Sequence, residues 1–194
     1  HYAGNCHVYV HRLCPYELAE AVVLNAKLQR PGVCNAAETI LFDADVAQSF
    51  LPPIGQKLIA AGCQVRGCQQ TCKLLPAARP ATEQDWYSEY LDLIVACRVV
   101  DYITQAIDHI NTYGSHHTDA ILTSDIAAAQ QFVDAVDSAN VMVNCSTRLS
   151  DGGIYGLGTE IGISTDKLHA RGPMGAADLT TYKYVITGTG HLRH

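Results

Sequence analysis

The sequence predicts an α/β domain built on a largely parallel sheet with helices on both faces. Three observations carry that reading. Short apolar strand-like runs alternate with amphipathic segments of about ten residues or more, the pattern of helix-covered parallel sheets. Proline and glycine punctuate the segments where the chain must turn. The composition, 194 residues at 48% hydrophobic and 16% charged, supplies a core and argues against a disordered or coiled-coil chain.

Taken in order, residues 7–10 alternate as a short strand. From Pro15, a residue suited to a first helical turn, Leu18, Ala21, Val22 and Ala26 recur at helical spacing. That helix stops before Pro31, Gly32 allows a sharp turn, and Cys34 lies just past it. Residues 38–42 read as a strand. Residues 45–61 read as a helix interrupted at Pro52-Pro53 and closed by Gly62. A strand over 91–100, a helix over 102–113 ended by Gly114, and a strand over 120–123 follow. Ser124 or Asp125 can cap the next helix, in which Ile126, Ala129, Val133 and Val136 share one face, and 141–143 is another strand. Beyond Asn144 the chain becomes a glycine-dense loop at 151–158. The β-branched and aromatic run 181–187 reads as a strand that needs a partner outside the main sheet, in another subunit. No internal repeat is present.

Thirteen Lys and Arg against nineteen Asp and Glu give a net charge of −6, which argues against nucleic acid as a partner. No uncharged apolar run approaches the ~18 residues of a membrane-spanning helix, so no membrane association is expected. The chain begins at His1 without an initiator Met and is read as a fragment. Its eight cysteines are irregularly spaced in a chain large enough to fold without staples, so reduced thiols and a cytoplasmic location are expected.

Several motif classes are excluded. Gly156, Gly158 and Gly162 are spaced GxGxxxG after a loop, which is not the dinucleotide fingerprint, and there is no GxxxxGK[ST], HExxH or GxSxG. Those glycines are structural or shape a pocket wall. Cys63, Cys68 and Cys72 cluster, but no second set of ligands follows at zinc spacing and no metal is expected. Cys34 stands apart because a Pro-Gly turn between a helix and a strand holds it exposed at a sheet edge, where crevices form. Arg30 or local N–H groups there could lower its pKa, and it is expected to be the most reactive of the eight thiols. A buried structural cysteine is the alternative reading of the same residue.

The strings NAKxQRPGVCNA (25–36), SHHTDAILT (115–123), VDSA (136–139) and LHARGPMG (168–175) resemble the gamma-glutamyl phosphate reductase family of the aldehyde dehydrogenase superfamily. The resemblance runs from Gly4 to the C-terminal strand. A full family member is about twice this long, and most of the cofactor-binding half has no counterpart here. The fold implied is an aldehyde-dehydrogenase-like catalytic domain with a C-terminal oligomerisation strand. Residues 1–14 would be the tail of the cofactor-binding domain, 15–165 the catalytic domain, and 166–194 the C-terminal segment.

The resemblance makes Cys34 the nucleophile that displaces phosphate from L-glutamyl 5-phosphate and holds the acyl group as a thioester. NADPH would reduce that thioester through a thiohemiacetal to L-glutamate 5-semialdehyde, a step of proline biosynthesis. Glu89 matches the superfamily glutamate that accepts the nicotinamide ribose hydroxyls. Oxidative superfamily members carry a water-activating glutamate that the stretch 1–7 lacks, which favours reduction over oxidation. Ser146, Thr147 and Arg148 are candidates for the substrate's oxyanions on residue type, with Arg148 either binding bidentately there or serving as a plain structural ion-pair partner. Arg171 reads as structural. A homo-oligomer, and glutamate 5-kinase as a partner, are further expectations. The isolated chain is expected to be inactive or nearly so and to bind NADPH weakly or not at all. The alternative is a non-catalytic oligomerisation or interaction module that keeps the family fold.

Overall fold

In the computed structural model, which describes residues 3–194, strands β1 (Cys6–Val10), β2 (Ala37–Asp43), β3 (Gln64–Gly67), β4 (Arg79–Pro80), β5 (Ile94–Val100), β6 (Thr118–Leu122) and β7 (Asn140–Val143) form one sheet. Its order is β4-β3-β5-β2-β1-β6-β7, and every neighbouring pair is parallel. Between the strands run helices α1 (Tyr16–Leu28), α2 (Ala44–Ala60), α3 (Gln69–Leu74), α4 (Glu83–Trp86), α5 (Ile103–Tyr113) and α6 (Ile126–Ala135). The α/β architecture expected from the alternation of segments is the one observed.

The side-chain period of two sorts each central strand between two cores. Val8 and Val10 of β1, Ile40 and Phe42 of β2, and Val95, Cys97 and Val99 of β5 face Ala19, Val22, Val23 and Ala26 of α1 and Leu51, Ile54 and Leu58 of α2. Tyr9, Leu41 and Ile121 point to the other side, onto Ala106, Ile107 and Ile110 of α5 and Phe132 of α6. Both faces are therefore covered, which is why β1 and β2 are buried at every position.

Several expectations need correction. Helix α2 is not interrupted, since it runs through Pro52 and Pro53. The prolines remove the bonds to the carbonyls of Gln48 and Ser49, but burial of Leu51, Ile54, Gly55 and Leu58 on the core side holds the helix together. Strand β5 begins at Ile94, not 91, because Leu91 adopts φ +53°, incompatible with an extended strand. Residues 64–86, passed over in the sequence reading, hold β3, α3, β4 and α4. Residues 6–10, assigned to the tail of a separate domain, form a middle strand of the sheet, so the sheet is not complete from residue 15 onward. Residues 181–187, whose expected partner lies in another subunit, join no ladder among the described residues of this single chain, and Tyr182, Tyr184, Val185 and Ile186 are exposed. A strand requires an edge to pair with, and among the described residues only β8 (Gly162–Ser164) and β9 (Gly172–Met174) pair outside the main sheet, with each other.

All eight cysteines are free thiols. No helix of the described residues is long and apolar enough to cross a membrane.

Candidate active site

Cys34 lies in the turn joining α1 to β2, and hence at the N-terminal end of a middle strand. The usual crevice of an open parallel sheet lies outside the C-terminal ends of its strands, so the sheet-edge argument for Cys34 locates it at the wrong rim. What holds the turn is a set of contacts from three neighbouring segments. Ala36 N–H donates to Val33 O at 3.0 Å, closing the turn. The Cys6 thiol donates to the Cys34 carbonyl at 3.1 Å, and Asn35 Nδ2 donates to Ser150 O at 2.7 Å. Ser150 Oγ accepts from Thr118 Oγ1 at 3.0 Å, tying the loop after β7 to the start of β6. Gly4 closes the arrangement, because a Cβ built there would sit 2.1 Å from Cys34 O. Only a residue without a side chain lets the two backbones approach this closely.

Beneath the turn is a fully buried ion pair. Lys27 Nζ of α1 donates to Glu38 Oε2 of β2 at 2.6 Å, and the other oxygen, Oε1, accepts from Leu91 N–H at 3.1 Å. Burial pushes the Glu38 carboxyl up to about 7, with Lys27 and the Leu91 N–H pulling the other way. One carboxylate thus joins the end of α1, the start of β2 and the segment carrying Glu89. That segment is further fixed by Tyr90 Oη, which donates to Asp85 Oδ1 at 2.8 Å, and by the Arg66–Asp85 ion pair at 2.6 Å. With Thr82 also donating, Asp85 is held down at about 2 despite its burial.

The structure brings together Cys34, Glu89 and Arg148. Glu89 is half-buried and makes no hydrogen bond or ion pair with the described residues, so its carboxylate is an open acceptor. Arg148 donates from Nε to Gln29 Oε1 at 2.8 Å. Ser146 instead caps the short turn Thr147–Leu149 by accepting Arg148 N–H at 3.3 Å, and Thr147 is fully buried. These two residues build the loop that carries Arg148. Arg171 pairs with Asp137 at 2.9 Å, away from the thiol.

The electrostatics favour a different order of thiol acidity from the one expected. Burial pushes the Cys34 thiol up, and the carboxylates of Glu160 and Glu89 push it further, outweighing Arg148. Cys68 is shifted the other way. Burial would raise it, but hydrogen bonds from Thr71 Oγ1, Val99 N–H and the nearby backbone bring it below the ordinary thiol value. Among the described residues no group of three His, Cys, Asp or Glu side chains could hold a metal ion.

Sequence reasoning missed Gly4, Cys6, Glu38 and Glu160. The pairing register holds a signal for the first two. With β1 and β2 parallel and Cys6 opposite Ala37, stepping back along both strands brings Gly4 beside the Cys34 turn.

No family model matches the chain. Among curated proteins it is similar to the gamma-glutamyl phosphate reductase of Caldicellulosiruptor bescii, 55% identical over 98% of this chain and 46% of that protein. Among solved structures it is similar to the gamma-glutamyl phosphate reductase from Thermotoga maritima, with 49% identity and a TM-score of 0.94 over 99% of this chain and 46% of that one. At the level of fold alone it is similar to a 1-pyrroline-5-carboxylate dehydrogenase from Thermus with bound NAD. There the identity is 11% and the TM-score 0.59, over 75% of this chain and 36% of the other. The architecture is that of the aldehyde dehydrogenases. The chain spans about half the length of the curated relatives it matches.

Proposed function

We propose, from the homology that joins 98% of this chain to gamma-glutamyl phosphate reductases, that it carries the acyl-accepting part of an NADPH-dependent reductase. The substrate is L-glutamyl 5-phosphate and the products are L-glutamate 5-semialdehyde and inorganic phosphate, in proline biosynthesis. The observation that carries the proposal is the Cys34 turn itself. It is a half-exposed thiol whose backbone is clamped by Gly4, Cys6 and Asn35, with Arg148 close enough to act on it electrostatically.

In this reading the Cys34 sulfur attacks the γ-carbonyl carbon, the carbon–oxygen bond to phosphate breaks, and phosphate leaves with the acyl group held as a thioester. The fixed turn keeps the sulfur in one position while substrate approaches, which replaces a search in solution by an oriented encounter. Arg148 offers its outer guanidinium edge to an oxyanion of the substrate. Glu89 is the residue that would hold the cofactor, its unpaired carboxylate being suited to accept two ribose hydroxyls, and NADPH would supply the hydride that reduces the thioester to the aldehyde. A cytoplasmic homo-oligomer assembled through 181–187, supplied with acyl phosphate by glutamate 5-kinase, completes the reading.

The test uses acetyl phosphate, a small acyl phosphate, with the 194-residue chain at pH 8. Thiol displacement of phosphate should add one acetyl group, mapped by peptide mass to Cys34 and absent in Cys34→Ser. No acetyl group at Cys34, or total acetylation unchanged in Cys34→Ser, removes the nucleophile assignment.

A further inference from the structure

Beside the Cys34 turn a cavity of about 340 Å³ is lined by Asn25, Gln29, Arg148, Leu149, Asp151 and Ile154. Its two charged residues, three positions apart in the chain, have opposite sign, and among the described residues neither takes part in an ion pair. Each is already positioned by contacts that leave its outer atoms free. Arg148 uses Nε on Gln29, while Asp151 Oδ1 accepts from Gly153 N–H at 2.8 Å and Ile154 N–H at 3.2 Å. Neither Nη of Arg148 nor Oδ2 of Asp151 hydrogen-bonds to a described residue. Two fixed, unpaired opposite charges on one cavity wall are complementary to a zwitterion, and Leu149 and Ile154 offer apolar surface to the methylenes between its ends.

We propose that this cavity is the subsite for the α-amino-acid end of the acyl substrate, with Arg148 binding the α-carboxylate and Asp151 the α-ammonium. The side-chain carbonyl is thereby directed toward Cys34. The inference rests on the reading of Cys34 as the acyl acceptor, and it adds a chirality-sensitive specificity element that this reading leaves unassigned. Arg148 lies within electrostatic reach of both Asp151 and Cys34, as a subsite joined to the thiol requires. Arg30, also near Arg148, adds positive charge on the carboxylate side.

The test is a calorimetric titration of the 194-residue chain with L-glutamate, D-glutamate, glutarate and inorganic phosphate. L-Glutamate should saturate, with D-glutamate and glutarate at least about tenfold weaker, the loss expected for one charge-assisted contact. Asp151→Asn retains the oxygen that caps Gly153. It should lower L-glutamate affinity about tenfold and leave glutarate unchanged, whereas Arg148→Gln weakens both. Equal binding of L-glutamate and glutarate, tighter binding of phosphate than of L-glutamate, or no saturation by any of them overturns the subsite. The ligand series on the unaltered chain decides the matter even where a variant fails to fold. Selective L-glutamate binding without acylation of Cys34 by acetyl phosphate removes the thioester reading and keeps the subsite, and the opposite pair of results does the reverse.

Discussion

Adding one methyl group at Gly4 should disrupt the site and the sheet together. In Gly4→Ala the new Cβ meets the Cys34 carbonyl oxygen at 2.1 Å and the Cys34 carbonyl carbon and Cα at 2.7 Å each. Relief needs a displacement of about 1.4 Å, given van der Waals contact near 3.5 Å. All three atoms belong to the backbone, so no rotamer change can provide it. The turn must move, and with it the Cys6 thiol bond to the same carbonyl at 3.1 Å. Overpacking of this kind costs about 1–3 kcal/mol, and a rigid backbone contact belongs at the upper end. At about 2–4 °C per kcal/mol for a chain of this size, the melting temperature should fall by about 6–12 °C. Gly32→Ala is the internal comparison, since its added Cβ would meet Leu91 O at 3.5 Å, ordinary contact, so its melting point should stay within about 2 °C. Circular dichroism melts of the three proteins, with alkylation rates at Cys34 by peptide mapping, read both effects. A Gly4→Ala protein that melts within 2 °C of the parent and labels Cys34 at the parental rate refutes the reasoning.

The remaining predictions concern charge and assembly. Limiting iodoacetamide at pH 7 should label Cys68 ahead of Cys34, with Cys34 gaining as pH rises. Glu160→Gln, which removes the carboxylate that raises the thiol most, should speed Cys34 labelling at pH 7.5, and an unchanged rate counts against the stated cause. The Glu38 carboxyl is raised in the folded chain to about 7 from an ordinary value near 4.5, so the folded state holds a proton there that the unfolded state has lost. Its contribution is complete below about pH 4.5 and disappears as pH rises through about 7. Urea denaturation of Glu38→Gln should therefore show a flatter stability profile across that window than the parent, and parallel profiles would exclude Glu38 as the source. Deleting residues 181–194 should reduce the mass measured by light scattering to that of a monomer. Intact and truncated chains of equal oligomeric state, both folded, would show that the exposed tail carries no interface.

The legible parts of the fold were those in which periodicity and core burial agree. Strands β1, β2, β5 and β6 and helices α1, α5 and α6 have enough residues for a face to declare itself, and each of these strands contributes to both cores. Strand β3 alternates over only four residues and β4 has two exposed ones, so neither is long enough to stand out in the sequence. The double proline argued for a broken α2 because a local rule was weighed without the apolar stripe that overrides it. Within the site, Cys34, Glu89 and Arg148 were reached through motif resemblance and residue type. Glu160 and Asp151 sit in a glycine-dense loop whose course toward the thiol no local pattern encodes. The reading that Arg30 could lower the Cys34 pKa failed because it could count neither the burial of the turn nor Glu160, 126 positions away.

The rim on which the site lies explains why so few of its residues look functional in isolation. Gly4 precedes β1, Cys34 precedes β2, Leu91 comes shortly before β5 and Thr118 opens β6, so the site gathers the N-terminal ends of four parallel strands. Those ends bring backbone N–H groups and carbonyls together where the helices do not cover them, and each such group needs a partner when buried. Asn35, Glu38, Thr118 and Ser150 supply partners, and all four are buried. Their work is to fix the register of the strand starts, and through it the position of one sulfur atom. A turn anchored in this way to the middle of the sheet moves little on its own. Differences in reactivity at Cys34 therefore follow from how far the turn is buried and from the charges facing it, Glu160 and Glu89 against Arg148.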